Sequence, residues 1–236
     1  MDDGWTESAA AWLAEIGTEG DYGRRFVLDA PMLARVEGRG FRTALDVGCG
    51  EGRFCRALAR LGVHTVGIDP TASLLDRARA LDPGGDYRLC TAEAFRPDRT
   101  FDLVVSYLTL IDIPDFRAAL ATMAGALRPG GTLLIANLNS FVTAGMPDGW
   151  TDGGDGVARF SIDGYLEERA NHVSWRGISV VNWHRPLGAT MAACLSLGLT
   201  LTHFAEPAPY GGPAEKAERY RRVPYFHVME WRKGTE

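Results

Sequence analysis

Asp46-Val47-Gly48-Cys49-Gly50-Glu51-Gly52 is the stretch whose reading decides the fold. Thr43–Val47 before it is a short apolar run of strand character, and after it Phe54, Leu58 and Leu61 share one helical face. The segment therefore reads as strand, glycine turn and helix. Glycines at such a turn let the backbone approach a ligand closely, and the helix start offers N–H groups that no helical carbonyl satisfies. In an open α/β sheet this carboxyl edge is where ligands bind. A dinucleotide fingerprint wants its third glycine at position 53, where this chain has Arg53. Asp46 stands two positions before the first glycine, where it can face the ammonium group of an amino-acid ligand.

Outward from this turn, short apolar strands alternate with helical patterns, the signature of a mostly parallel sheet covered on both faces. Strands are expected at Val63–Asp69, Tyr87–Cys90, Phe101–Tyr107 and Thr132–Leu138. Between them, one helix buries Leu74, Leu75, Ala78 and Leu81, and another sets Phe116, Leu120, Met123 and Leu127 at helical spacing. The turns Pro83-Gly84-Gly85 and Pro129-Gly130-Gly131 end these helices. A helix from about Pro186 to Leu197, burying Leu187, Met191 and Leu195, leads to two last strands, Leu199–Phe204 and Val223–Trp231, around a polar loop. The first forty residues read as two helices, the second starting near Asp29-Ala30-Pro31, since proline suits a first helical turn. The fold expected is one doubly wound α/β domain with a seven-stranded, mostly parallel sheet and helices on both faces. Residues 1–40 form its helical cap, 41–140 its binding core, 141–184 an insertion after the fifth strand, and 185–236 a closing helix and strands.

Composition narrows the class. The 236 residues are 46% hydrophobic and 23% charged, an ordinary globular balance long enough to bury a sizeable core. No stretch approaches the roughly 20 apolar residues of a membrane-spanning helix. Met1-Asp2-Asp3-Gly4 lacks the basic flank and apolar run of a signal peptide. Cys49, Cys55, Cys90 and Cys194 are scattered, which fits reduced residues of a cytoplasmic protein rather than a disulfide frame or zinc site. No metal-ligand cluster of usable spacing is present. A net charge of −5 argues against a nucleic-acid partner, and a small molecule is the expected one.

The motifs, in order, resemble the class I methyltransferases. Asp46 through Gly52 matches their first motif, (D/E)-x-G-x-G-x-G. Gly67-Ile68-Asp69-Pro70 is similar to the family's second strand end, Thr91-Ala92-Glu93-Ala94 to its adenine-contacting segment, Phe101–Ser106 to its fourth strand, and Leu127-Arg128-Pro129-Gly130-Gly131 to the turn before its fifth. The resemblance implies S-adenosylmethionine as cofactor and methyl transfer as activity. It implies cofactor contacts from Asp46, Gly48, Cys49 and Gly50, ribose contact from Asp69 beside Pro70, and adenine contacts from Thr91, Ala92 and Glu93. The family often has Asp where this chain has Thr91, which shifts adenine recognition toward Glu93 or the backbone. Ser106 and Tyr107, ending the fourth strand, are expected to flank the methyl group. In the segment that similar methyltransferases fold over the cofactor, Tyr22 and Arg25 are assigned to it and Arg24 to a solvated helix face.

The acceptor half is read from 141–184. Phe141, Trp150, Phe160, Tyr165, Trp175 and Trp183 are dense there, which suggests walls of a partly apolar pocket and a lid, against a competing reading as a satellite cluster that anchors a long loop. The early part, Asp148 to Gly156, is rich in Gly and Asp and matches no calcium-loop spacing. Later portions, Tyr165 to Arg169, Ser174 to Ile178 and Asn182 to Pro186, resemble a branch of the UbiE-like small-molecule methyltransferases. A hydroxyl acceptor needs a base. His184, at the junction of insertion and helix, is the first candidate and Asp112 the second. Two other functions share the fold: a nicotinamide-dependent oxidoreductase, which Arg53 and Asp46 argue against, and a non-catalytic S-adenosylmethionine-binding protein.

Overall fold

A computed structural model of the chain describes residues 3–147 and 149–235; Met1 and Asp2 of the opening tetrapeptide, Asp148 of the Gly/Asp-rich tip, and Glu236 lie outside the described residues. In chain order the elements are α1 (Trp5–Ile16), a π-helical turn (Arg24–Leu28), α2 (Asp29–Ala34), β1 (Thr43–Val47), α3 (Arg53–Arg60), β2 (His64–Asp69), α4 (Ala72–Leu81), β3 (Asp86–Leu89), β4 (Phe101–Tyr107), α5 (Phe116–Ala126), β5 (Leu127–Leu138), α6 (Ser140–Ala144), β6 (Trp150–Asp152), β7 (Ala158–Phe160), β8 (Arg169–Trp175), β9 (Ile178–His184), α7 (Leu187–Ser196), β10 (Leu199–Ala205), α8 (Ala214–Arg222) and β11 (Phe226–Lys233).

Seven strands form one sheet in the order β10-β11-β5-β4-β1-β2-β3. β11 runs antiparallel to both its neighbours, and the other pairings are parallel. From β1 the order proceeds outward through β2 and β3, whereas β4 begins the opposite half. The crevice beyond β1 and β4 is thus the topological switch point, where open α/β sheets bind ligands. Alternation along the strands feeds two layers. Leu45, Val104 and Leu133 pack with Phe116, Leu120 and Met123 of α5 on one face. Leu103, Val105 and Leu134 pack with Val27, Met32 and Leu58 on the other. Asp115 fixes the start of α5 by accepting the Ala118 N–H at 3.0 Å.

Several local expectations differ. Residues 141–184 hold α6 and two hairpins, β6–β7 and β8–β9. Most side chains of β6, β7 and β8 are exposed or half-buried, so they carry little period-2 signal, whereas β9 is largely buried. The polar loop near the end contains α8, whose one buried residue is Ala217. Leu61, Leu81 and Leu195 are exposed rather than core, and α7 buries Thr190 and Cys194 instead. Trp150 and Phe160 stack edge to face, and Trp150 donates its indole N–H to the Tyr225 hydroxyl at 2.6 Å. That is the anchoring cluster, not a pocket wall. Among the described residues no helix is long and apolar enough to cross a membrane.

Candidate active site

The carboxyl ends of β1, β2 and β4, the segment after β3 and the inner face of α1 enclose a cleft with about 1080 Å³ of empty space that opens to solvent. Its floor is the glycine turn. The Gly48 and Cys49 N–H groups donate to the Ile68 carbonyl at 2.8 and 3.0 Å, which ties the turn to β2. Gly48 takes φ +72°, and a Cβ there would lie 2.1 Å from Thr109 Cγ2, so only glycine lets the loop after β4 close against the turn. Arg53 opens α3 at the position of a missing third glycine and forms a two-pronged ion pair with Asp29 at 2.7 and 2.8 Å.

Two carboxyls sit at the strand ends. Asp46 is 1% exposed and accepts the Cys55 thiol at 3.2 Å. Burial, reinforced by nearby Asp69 and opposed by the thiol hydrogen bond, pushes it up to about 7. Asp69 accepts the backbone N–H of Gly50 at 2.9 Å and of Thr71 at 2.8 Å, and burial raises it too. Pro70, Thr71, Leu74, Thr91, Ala92 and Glu93 line the cleft beyond Asp69. The structure thus brings Asp46, Gly48, Cys49, Gly50, Asp69, Pro70, Thr91, Ala92 and Glu93 to one cleft.

The arginines are reversed. Arg24 lines the cleft, with its guanidinium bonded to Asp21 at 2.5 Å and placed over the Trp12 and Tyr107 rings. Arg25 lies outside, half-exposed and paired with Glu19 at 2.9 Å. Tyr22 also turns away, packing on Phe26 and Tyr220 and donating to the Gly211 carbonyl at 3.3 Å. The cause is the π-helical turn, which bonds the Asp29 N–H to the Arg24 carbonyl, five residues back. One extra residue per turn rotates the face that ordinary helical spacing would present.

Three other assignments change. Ser106 is fully buried and does not line the cleft; alternation along β4 turns it into the opposite layer from Tyr107. Tyr107 does line the cleft, but its hydroxyl donates to Asp29 at 2.8 Å and burial raises it well above the usual tyrosine range, so it is held as a donor rather than a base. His184 is fully buried and absent from the cleft. Its Nδ1 meets the Thr143 hydroxyl at 2.7 Å and its Nε2 the Tyr165 carbonyl at 2.8 Å, so it fastens α6 to the segment between β7 and β8. None of the insertion's aromatic residues lines the cleft.

Asp112 does. Its carboxyl accepts the Asn182 side-chain N–H at 2.7 Å, and burial holds it well above the usual carboxylate range. β9 docks the loop that carries it: the Trp183 N–H donates to the Ile111 carbonyl at 2.6 Å. Arg185, just beyond, donates to the carbonyls of Leu110 at 2.8 Å, Pro114 at 3.0 Å and Ile113. The same strand anchors α1, through the Val181 N–H to the Asp3 carbonyl and a reciprocal Ser8–Ser179 pair at 2.9 and 3.0 Å. The cover over the cleft is therefore α1, with Trp5, Trp12 and Ile16 facing inward. Trp5 and Trp12 are seven residues apart on a helix, a spacing that puts both on one face and was legible in the sequence.

The comparisons agree with this geometry. Residues 45–135 match the family model of a methyltransferase domain. A ubiquinone biosynthesis O-methyltransferase of Bradyrhizobium sp. (strain ORS 278) is 37% identical over 120 residues, 49% of this chain and 46% of that protein. The chain thus spans about half the length of the curated relatives it matches. The crystal structure of an S-adenosylmethionine-dependent methyltransferase from Mesorhizobium loti is 28% identical with a TM-score of 0.78, covering 92% of this chain and all of that one (100%). The CcbJ methyltransferase from Streptomyces caelestis shares the fold at a TM-score of 0.64 and 19% identity, covering 99% and 100% of the two chains. With the glycine turn at the switch point and the seven-stranded sheet around it, the chain has the fold of the class I S-adenosylmethionine-dependent methyltransferases, and its residues 45–135 carry the match to their domain.

Proposed function

We propose that this chain transfers the methyl group of S-adenosylmethionine to a small-molecule acceptor held between α1 and the loop after β4. The observation that carries the reading is the joint placement of Asp46, Asp69 and Arg24 around a glycine turn that a single Cβ would block. The residues fit the cofactor. A buried carboxyl raised to about 7 suits an ammonium group, which would return it to its charged form. Asp69 suits the two ribose hydroxyls, and Arg24 the methionine carboxylate. Pro70, Leu74, Ala92 and Ile113 offer apolar contacts for adenine.

When bound, the cofactor supplies a methyl carbon activated by a sulfonium. The chain's part is positioning and proton removal. Trp5, Trp12 and Ile16 on α1 shield one side of the cleft from water, and Thr109 against Gly48 fixes the loop after β4. Asp112, oriented by Asn182, takes the acceptor's proton. Names of relatives such as the ubiquinone biosynthesis O-methyltransferase support a small-molecule acceptor. Calorimetry tests the reading: one-to-one binding of S-adenosylmethionine and of S-adenosylhomocysteine, with no binding of nicotinamide nucleotides. Tight nicotinamide binding and no response to either sulfur compound would overturn it.

A further inference from the structure

The charges lining the cleft are unevenly matched. Its two arginines already hold carboxylates, Arg24 that of Asp21 at 2.5 Å and Arg53 that of Asp29 at 2.7 Å. Asp3 and Asp112 also line it, and among the described residues neither has an arginine, lysine or histidine within ion-pair distance. Both flank Trp5: Asp3 accepts its backbone N–H at 3.0 Å, and Asp112 lies beside its side chain. Trp5 and Trp12 meet edge to face with centroids 5.9 Å apart, so the carboxyls stand at an indole wall. A further carboxyl on the cleft, that of Glu51, is matched: it is only 2% exposed and its Oε2 pairs with Arg56 at 2.6 Å.

The proposed cofactor brings one net positive charge, and its ammonium accounts for Asp46. Asp3 and Asp112 remain for the acceptor. A hydroxyl acceptor is neutral and brings no charge to these carboxyls, whereas an amine arrives and leaves as a cation, which draws them to their ionised form and which carboxylates and indole faces both stabilise.

Resting on the methyltransferase reading above, we propose that the acceptor is a basic alkylamine that carries an aromatic ring, bound as its ammonium ion against Trp5, Trp12, Asp3 and Asp112. The ionised Asp112 carboxylate takes one proton from nitrogen. The freed lone pair forms the new N–C bond while the S–C bond breaks and its electron pair stays on sulfur, leaving a thioether. The product leaves as the N-methylammonium ion, and the proton on Asp112 returns to solvent.

The test is calorimetry on full-length protein saturated with S-adenosylhomocysteine and titrated with 2-phenylethylamine, 2-phenylethanol and phenylacetate, three probes of matched size. The amine is expected to bind at least about tenfold more tightly than the alcohol, and phenylacetate most weakly. In Asp112→Asn, and in Asp3→Asn as a second variant, the preference for amine over alcohol should shrink to within about threefold while S-adenosylhomocysteine affinity stays close to that of the parent. Alcohol or carboxylate binding as tight as the amine, binding of none of the three, or an unchanged preference in both variants overturns the proposal. A protein that takes no S-adenosylhomocysteine would instead overturn the cofactor reading beneath it.

Discussion

Cys55, in the first turn of α3, donates its thiol to Asp46 at the end of β1 across 3.2 Å, and it is the one side-chain hydrogen bond that opposes the rise of this carboxyl to about 7. A ligand ammonium selects the charged form of Asp46. Below pH 7 the free protein holds a proton there that binding must expel, so affinity falls as pH falls, approaching tenfold per pH unit in the limit. Removing the thiol in Cys55→Ala raises Asp46 further and moves the midpoint of this fall to higher pH. Calorimetric titration of S-adenosylmethionine from pH 5 to 9 checks both; a flat profile in the parent protein would contradict them.

Arg24 and Arg25 separate cleanly. Arg24→Ala removes the cleft's carboxylate partner and should weaken S-adenosylmethionine by about 1.5–3 kcal/mol, the usual worth of a charged hydrogen bond. Arg25→Ala, which breaks only the exposed pair with Glu19, should leave affinity within about twofold. Binding isotherms of the two variants at one salt concentration decide the matter.

His184→Ala should lower stability and spare the cofactor. It empties a fully buried site and strands the Thr143 hydroxyl and the Tyr165 carbonyl, a loss of about 2–4 kcal/mol. Denaturant melts report the loss, and S-adenosylmethionine affinity should stay within about threefold.

His227 gives the fold a pH dependence. It is 2% exposed, donates Nδ1–H to Asn139 at 3.0 Å, and burial pushes it down to about 4. The unfolded chain therefore binds the proton first, and stability from this group, complete above 6.5, drains as pH falls toward 4, by about 3 kcal/mol. Asp46, raised in the folded state, works in the opposite sense, so the comparison must be differential. The gap in unfolding free energy between the parent and His227→Leu should narrow by about that amount from pH 7 to pH 4.

Arg185→Ala should loosen the loop after β4. It deletes a buried guanidinium that three carbonyls share and that lies over the Phe116 ring at 4.4 Å. Hydrogen exchange at residues 110–114 should rise well above the parent's, while the glycine turn at 48–52 stays protected. Unchanged exchange in that loop would show that Trp183 and Asn182 hold it unaided.

The cofactor half was legible because it rests on short-range rules. A strand, a glycine turn and a helix follow one another without a break from Thr43 to Arg60, and each later strand carries its own apolar run. The acceptor half depends on long-range contacts that leave little trace in sequence. Asp112 reads as a base candidate from its place after β4, but its partner Asn182 lies 70 residues away. Aromatic density points to the insertion for the cover, but Trp150 and Phe160 there serve the Tyr225 cluster, while two tryptophans near the amino terminus do the covering. His184 looked catalytic because its position along the chain is near the acceptor side; its ring, facing Thr143 and Tyr165, is not.

The π-helical turn at Arg24–Leu28 has one more consequence. Adjacent residues on a helix point about 100° apart, so a single added or lost residue re-aims everything ahead of it. Which of two neighbouring arginines lines the cleft is here a matter of chain register and not of side-chain chemistry. Wound as an ordinary α-helix with no residue removed, the same turn would bond the Asp29 N–H to the carbonyl four residues back, that of Arg25. Arg25 would then move toward the place Arg24 now holds, so the same two arginines, unaltered in kind, would exchange inside for outside.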